Sequence, residues 1–342
     1  MQADPSSSPL AGRSPQLAAG QGDRRPSLTQ RLRAIEPDRY AVYLGFVAIF
    51  LFFSITLRND GFTSGRNLLN ILEATAPITV MAVATAFVLG AGEVDFSIGA
   101  IVALSSLVAA LVLRETDAAI LGIAAGLGTG AAVGLLNGTM VTRLRLPSFL
   151  VTLGTMGLFT GLSQRVTNLE SVPSVNETFN DLFGSGEVLG VSTLIIWSLV
   201  IVAVGHYVLR HRRVGAHVLA SGDNAAAAQV SGVRVGRVRT GVLVASGLSA
   251  SFAGLMYTAN LHGASYSLGT TDLLTVVAAV VIGGTRLLGG RSTVVGALVG
   301  SLILGVVNNG LILSGFSTSE QQIAQGVIIL VAVALTLREP AR

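Results

Sequence analysis

Two carboxylates stand two residues apart inside an otherwise apolar stretch, Gly90-Ala91-Gly92-Glu93-Val94-Asp95-Phe96-Ser97-Ile98-Gly99. Apolar runs flank this segment on both sides, which sets Glu93 and Asp95 at or near membrane depth. Ionised groups there are costly unless water, cations or helix-end donors meet them. Two roles suit the pattern. In one, Gly90 and Gly92 break the preceding helix and Asp95 or Ser97 caps the next, its oxygen taking free N–H groups of the first turn. In the other, the break borders a transport path, where irregular backbone is tolerated because it lines a cavity. The two are compatible. Asn137, Asn308 and Asn309, at the ends of apolar runs, are candidates for the same path, although buried amides of this kind more often bond across helices.

Other chemistry is excluded by composition. The chain has no cysteine, which removes disulfides, thiolate metal sites and cysteine nucleophiles. All 22 of its basic residues are arginine. Without lysine there is no GxxxxGK[ST] phosphate loop and no Schiff-base chemistry, so nucleotide hydrolysis would have to reside in another chain. The four histidines, His206, His211, His217 and His262, lie near span ends or in loops, and no HExxH motif occurs. No catalytic residue, metal site or cofactor is expected in this chain, and an intramembrane enzyme is disfavoured.

The elements that position these residues are membrane spans. Hydrophobic residues make up 51% of the 342 and charged residues 12%, with a mean hydropathy of +0.69; soluble domains carry about 25% charged residues. Each crossing needs about 20 mostly apolar residues. Such runs fall at about residues 40–57, 67–89, 96–113, 119–141 and 148–162, then at 192–209, 241–261, 273–287, 293–313 and 321–337. The expected fold is therefore an all-α integral membrane protein of about ten transmembrane helices, some broken or re-entrant, with both termini cytoplasmic. Under that count 18 arginines face inward and 4 outward (Arg58, Arg66, Arg114 and Arg165), the asymmetry of the positive-inside rule. That distribution, rather than the net charge of +4, is what matters, and it gives no reason to invoke nucleic acid.

The expected organisation has two parts. Residues 1–39 form a cytoplasmic arm read as disordered, holding five of the nine prolines and no apolar core of the signal-peptide type; the first apolar run then acts as an uncleaved anchor. Residues 40–338 form the transmembrane domain, with a long inside loop at 210–240 and a long outside loop at about 164–191. The outside loop carries Glu170, Glu177, Asp181 and Glu187, and reads either as a solvated connector or as a surface open to a partner.

Two glycine-rich patterns bear on packing. Gly122, Gly126, Gly130, Gly134 and Gly138 make overlapping GxxxG units in one span, a stripe for close helix crossing within the chain or, less favoured, between chains. Gly296 with Gly300 and Gly157 with Gly161 repeat the spacing, while Gly283-Gly284 and Gly289-Gly290 read as a tight inward-facing turn. In the inside loop, Gly222-Asp223-Asn224-Ala225-Ala226-Ala227-Ala228-Gln229-Val230-Ser231-Gly232-Val233 reads as a helix of about two turns. Asp223 or Asn224 is its N-cap and Gly232 its stop, and its low-bulk face suits a partner's groove. Six arginines, from Arg210 to Arg239, bracket it.

Six ordered blocks together resemble the ribose-type family of ABC importer permeases, over about residues 67–337. They are Gly92–Gly99 in the broken segment, Gly134-Leu135-Leu136-Asn137-Gly138, and Leu146-Pro147-Ser148-Phe149-Leu150-Val151-Thr152-Leu153-Gly154-Thr155-Met156. The alanine-rich segment follows, then Ala278-Ala279-Val280-Val281-Ile282-Gly283-Gly284-Thr285 and Gly305-Val306-Val307-Asn308-Asn309-Gly310. The resemblance implies a multi-pass subunit of the bacterial plasma (inner) membrane that pairs with a second copy. It implies a cytoplasmic ATPase as partner, an external binding protein delivering a sugar or related small polar solute, and a coupling segment at residues 222–233. One departure is visible: where the family often has Gly-Ile-Asp-Leu-Ser, this chain has Glu93-Val94-Asp95-Phe96-Ser97. An ion-gradient-driven carrier, with Glu93 and Asp95 as the proton-linked pair, is the alternative.

Overall fold

The computed structural model describes residues 37–337, so the expected arm lies outside the described residues except where the first helix begins. In chain order the helices are α1 (Pro37–Thr56), α2 (Gly65–Gly90), α3 (Ile98–Thr116), α4 (Ala119–Arg143) and α5 (Ser148–Thr167). Next come α6 (Glu177–Phe183), α7 (Thr193–His211), α8 (Arg213–Asp223), α9 (Ala225–Val230) and α10 (Val235–Asn260), followed by α11 (Asp272–Ile282), α12 (Val294–Leu313) and α13 (Thr318–Leu337). Four two-residue strands lie between them: β1 (Val172–Pro173), β2 (Glu187–Val188), β3 (Val191–Ser192) and β4 (Gly263–Ala264). Among the described residues, α2, α3, α4, α7, α10 and α12 are long and apolar enough to cross a membrane.

The helices differ from the apolar runs at their ends for a physical reason. An apolar run marks the hydrocarbon zone, whereas the helix continues until a capping residue stops it. Thus α10 begins at Val235 and carries Arg237 and Arg239 in its first turns. In the other direction, the run at 273–287 is cut short. Helix α11 ends at Ile282 because Gly283 and Gly284 follow, the latter at φ +86°. Its 11 residues reach about 16 Å, roughly half a hydrocarbon core.

Helices α2 and α3 are the innermost. Val80, Met81, Ala82, Ala86 and Leu89 are buried around all sides of α2, as are Ile101, Val102, Ala103 and Leu107 on α3. A helix apolar on every face satisfies its surroundings only when enclosed by other helices or lipid. Glycines then set the closest crossings. A methyl at Gly130, Gly134 or Gly138 would collide with the Gly247 carbonyl, the Leu243 carbonyl or Thr240, so α4 and α10 lie backbone to backbone in antiparallel register. Gly296 and Gly300 of α12 press in the same way on the carbonyls of Gly283 and Ala279 at the end of α11.

The chain also repeats one plan. Helices α2 and α10 each have 26 residues. At the same spacing after each comes an aromatic–Ser–aliphatic–Gly sequence, Phe96-Ser97-Ile98-Gly99 and Tyr266-Ser267-Leu268-Gly269. The two copies meet: a methyl on Gly99 would strike the Gly269 carbonyl, and one on Gly269 would strike Val102. As α10 packs along α4 and α3, so α2 packs along α12 and α11.

One end of the bundle gathers the loops after α3, α5, α6 and α10. There β1 pairs with β4, Val172 opposite Ala264, and Asn176 Nδ2 donates to the Asp117 carbonyl at 2.9 Å. Phe183, Trp197 and Phe252 pack as an aromatic cluster with centroids 5.3–5.8 Å apart. Phe179 and Phe183 face the core while Glu170, Glu177, Asp181 and Glu187 remain exposed, so the long acidic loop is an amphipathic cover and not a loose connector. The opposite end, rich in arginine, holds the loops after α2, α4, α7 and α11.

Candidate functional site

At the arginine-rich end the residues singled out in the sequence divide into two sets. The first is the break between α2 and α3. Asp95 Oδ1 accepts from the Ser97 backbone N–H at 2.9 Å and from Ser97 Oγ at 2.6 Å. Asn137 of α4 donates through Nδ2 to Ser97 Oγ at 2.9 Å. Ser97 occupies the N-cap position of α3, yet its side chain makes no bond to the helix's first turn. Its hydroxyl is committed to Asp95 instead. The peptide of Val94 is held from α5: its N–H donates to Ser148 Oγ at 3.1 Å, and Thr152 Oγ1 donates to its carbonyl at 3.4 Å.

Glu93, 4% exposed, forms an ion pair with Arg239 of α10, Oε1 to Nε 2.7 Å. The Nε–H is not aimed along that line, so the contact is one of charge more than of an aligned hydrogen bond. Asp95 Oδ2, Asn137 Oδ1 and Ser246 Oγ are buried without a hydrogen-bond partner among the described residues. Ser246 of α10 also lies against the Asp95 carboxylate, so polar groups from the break, α4 and α10 converge here.

The second set is the alanine-rich segment. It is built as two helices meeting at Asn224, which ends α8 and caps α9: its Oδ1 accepts from the Ala227 N–H at 3.0 Å. Gly232, at φ +88°, turns the chain out of α9, and Val233 N donates to the Ala228 carbonyl at 2.9 Å. The helix expected over 222–233 is thus the six-residue α9, while Gly222 and Asp223 belong to α8. Ala228 is buried, whereas Asp223, Asn224, Ala226, Ala227 and Ser231 are exposed and Ala225 is half-buried. Val230 is 91% exposed, an apolar side chain held out on a short rigid element.

Gly222 joins the two sets. Its Cα sits against the Gly90 carbonyl, the Gly290 amide and Ala91, and any side chain there would clash with backbone. Gly290 N in turn donates to the Gly90 carbonyl at 3.1 Å. Gly289 and Gly290, at φ +91° and +79°, give the turn after α11 the shape that lets it reach this point. A displacement of α8 and α9 therefore bears directly on the break after α2 and on the turn after α11.

The remaining asparagines lie elsewhere. Asn309 exchanges hydrogen bonds of 2.9 Å with Asn67 at the start of α2, and Asn308 Oδ1 accepts from Gln325 of α13 at 3.2 Å. Neither touches the polar break. Arg239, Ser148 and Ser246 belong to it and were not singled out in the sequence. Arg239 was visible there only as one more arginine, since nothing in the linear order pairs a helix start with a carboxylate so far away.

A family model described as the permease component of the branched-chain amino acid transport system matches residues 67–333. The ribose import permease protein RbsC of Escherichia coli (strain K12) is 38% identical over 282 residues, 82% of this chain and 88% of that protein. The Bacillus subtilis (strain 168) protein of the same name is 37% identical over 300 residues, 86% of this chain and 92% of its own. The L-arabinose ABC transporter permease protein AraH of Azospirillum brasilense is 37% identical over 296 residues, 86% of each chain. No solved structure matches.

Proposed function

Because the chain belongs to this family of permease components, we propose that it is the membrane-spanning subunit of an ATP-driven importer for a sugar or related small polar solute. In this reading the chain crosses the bacterial plasma membrane ten times with both termini inside. A separate ATPase pair hydrolyses ATP, an external binding protein delivers the solute, and two copies of the permease enclose the path. The lining faces include the break at Glu93, Asp95 and Ser97.

The observation that carries the reading is the seat of Gly222 between Gly90 and Gly290. An ATPase gripping α9 through Ala226, Ala227 and Val230 would move α8, and α8 has no slack against the two breaks. Alternating access then follows if ATP and the loaded binding protein favour different positions of this unit, since a ligand shifts an equilibrium only through differential affinity. The open faces of α9 and the glycines of α5 that meet nothing among the described residues, Gly154, Gly157 and Gly161, support the ATPase and the second copy as partners. The test is the double variant Ala226→Arg/Ala227→Glu. Both side chains are exposed, so insertion and stability should hold while ATP-coupled uptake is lost. Normal uptake by that variant removes α9 from the coupling path.

A gradient-driven carrier has one observation in its favour, the unpaired Oδ2 of buried Asp95. Against it, Glu93 is already paired with Arg239 of α10.

A further inference from the structure

A cleft of about 1080 Å³ opens between α2, α7, α8 and α10, apart from the polar break. Its accessible walls are Phe87 of α2, Val204 and Val208 of α7, and Leu248 of α10. The one hydroxyl in the wall, Ser249, is occupied: it donates to the Val80 carbonyl at 2.7 Å. The mouth at the arginine-rich end has the opposite character. His217, Arg234 and Arg237 line it, all three are exposed, and neither arginine forms an ion pair among the described residues.

A cleft of this volume is in the range of ligand sites, and its walls offer water nothing to bond. Val204 and Leu248 are exposed, so the apolar part opens sideways, towards the lipid that surrounds membrane-crossing helices. The occupant must therefore join hydrocarbon to an anion at one end. A protein docking on the loop surface would reach the arginines but leave the apolar walls bare. Free phosphate would do the same.

We propose that this cleft holds one anionic phospholipid, its acyl chains along α2, α7 and α10 and its headgroup phosphate on Arg234 and Arg237. Arginine suits the role because its planar fork pairs with phosphate oxygens and its stem packs on apolar surface. His217 adds a donor at the same rim. The proposal uses the transport reading only to assign the lipid to the cytoplasmic leaflet, where anionic lipids concentrate. Binding itself needs no ATPase, binding protein or solute, so it is measured on the full chain alone and stands or falls separately from transport.

The experiment is native mass spectrometry of the detergent-purified full-length chain, titrated with phosphatidylglycerol or phosphatidylcholine of identical acyl chains. We expect the first phosphatidylglycerol to bind about thirtyfold more tightly than phosphatidylcholine, the scale set by two basic groups at a headgroup. Arg234→Gln/Arg237→Gln should bring the two lipids to near parity, and Arg234→Lys/Arg237→Lys should keep most of the preference. Ala245→Trp fills the cleft from an exposed position on its wall, so it should weaken both lipids alike. Equal affinity for the two lipids in the unaltered chain, or a preference that survives loss of both arginines, overturns the proposal. So does displacement of phosphatidylglycerol by inorganic phosphate, which would show an anion site without lipid chains. If Ala245→Trp leaves the preference and affinity unchanged, the arginines serve a rim for a soluble partner and the lipid is dismissed.

Discussion

Helices α4 and α5 carry the same sequence device and use it in opposite ways. In α4 the glycines of the stripe all have close neighbours: Gly122 and Gly126 face the leucine side chains of Leu113 and Leu255, while Gly130, Gly134 and Gly138 press on the backbone or small residues of α10. In α5 a methyl at Gly154, Gly157 or Gly161 would meet nothing within 4 Å among the described residues, and Leu150, Leu158 and Leu162 are exposed around them. The spacing alone says that two backbones can approach. It does not say whether the second backbone belongs to the same chain. That difference separates a glycine that holds the subunit together from one available to a second copy.

The comparison can be broken most forcefully at Gly130. Gly130→Val places two methyls where the Gly247 carbonyl and Ser251 already sit. Since α4 and α10 cannot part locally without losing the whole crossing, we expect a loss of about 3 kcal/mol or more, read as failure to recover folded protein in detergent. A well-folded Gly130→Val chain would mean the crossing is looser than described.

Next in size is the ion pair that fastens the polar break to α10. Glu93→Gln leaves Arg239 without its carboxylate, and Arg239 is 36% exposed, so water recovers part of the loss. We expect about 1–2 kcal/mol of destabilisation by thermal or denaturant melting, and a double-mutant cycle with Arg239→Gln that shows coupling of about 1 kcal/mol. Additive single effects would show the pair to be incidental. The smallest expected change is on the open face. Gly157→Val should alter the stability of the single subunit by no more than about 0.5 kcal/mol, while it weakens self-association measured by sedimentation or crosslinking. Unchanged association would leave the face of α5 to lipid.

Much of this was legible in the chain. The apolar runs located the long helices, and the six that are long and apolar enough to cross lie where those runs lie. A cap at Asp223 or Asn224 and a stop at Gly232 follow from side-chain and backbone chemistry local to each residue; Asn224 caps α9 and Gly232 turns the chain out of it. What could not be read depends on contacts between distant segments. Whether Asp95 or Ser97 would cap α3 was open because either oxygen is in reach; the outcome, Asp95 binding Ser97 and leaving the turn uncapped, reflects the pull of Asn137 from α4. The shortness of α11 was hidden because Gly283 and Gly284 sit inside an otherwise continuous apolar stretch. For Asn308 and Asn309 the residue type allowed either a path role or a bond across helices; Asn308 Oδ1 accepts from Gln325 and Asn309 bonds to Asn67, partners that the linear order does not reveal.

In the proposed function, ATP hydrolysed in a partner drives solute movement through this chain by way of α9 and Gly222. The most direct test is uptake in vesicles containing the chain with its ATPase and binding protein, driven in turn by ATP alone and by a proton gradient alone. We expect uptake with ATP that survives collapse of the gradient and disappears when hydrolysis is blocked. Uptake that persists without hydrolysis and stops when the gradient is collapsed would contradict it.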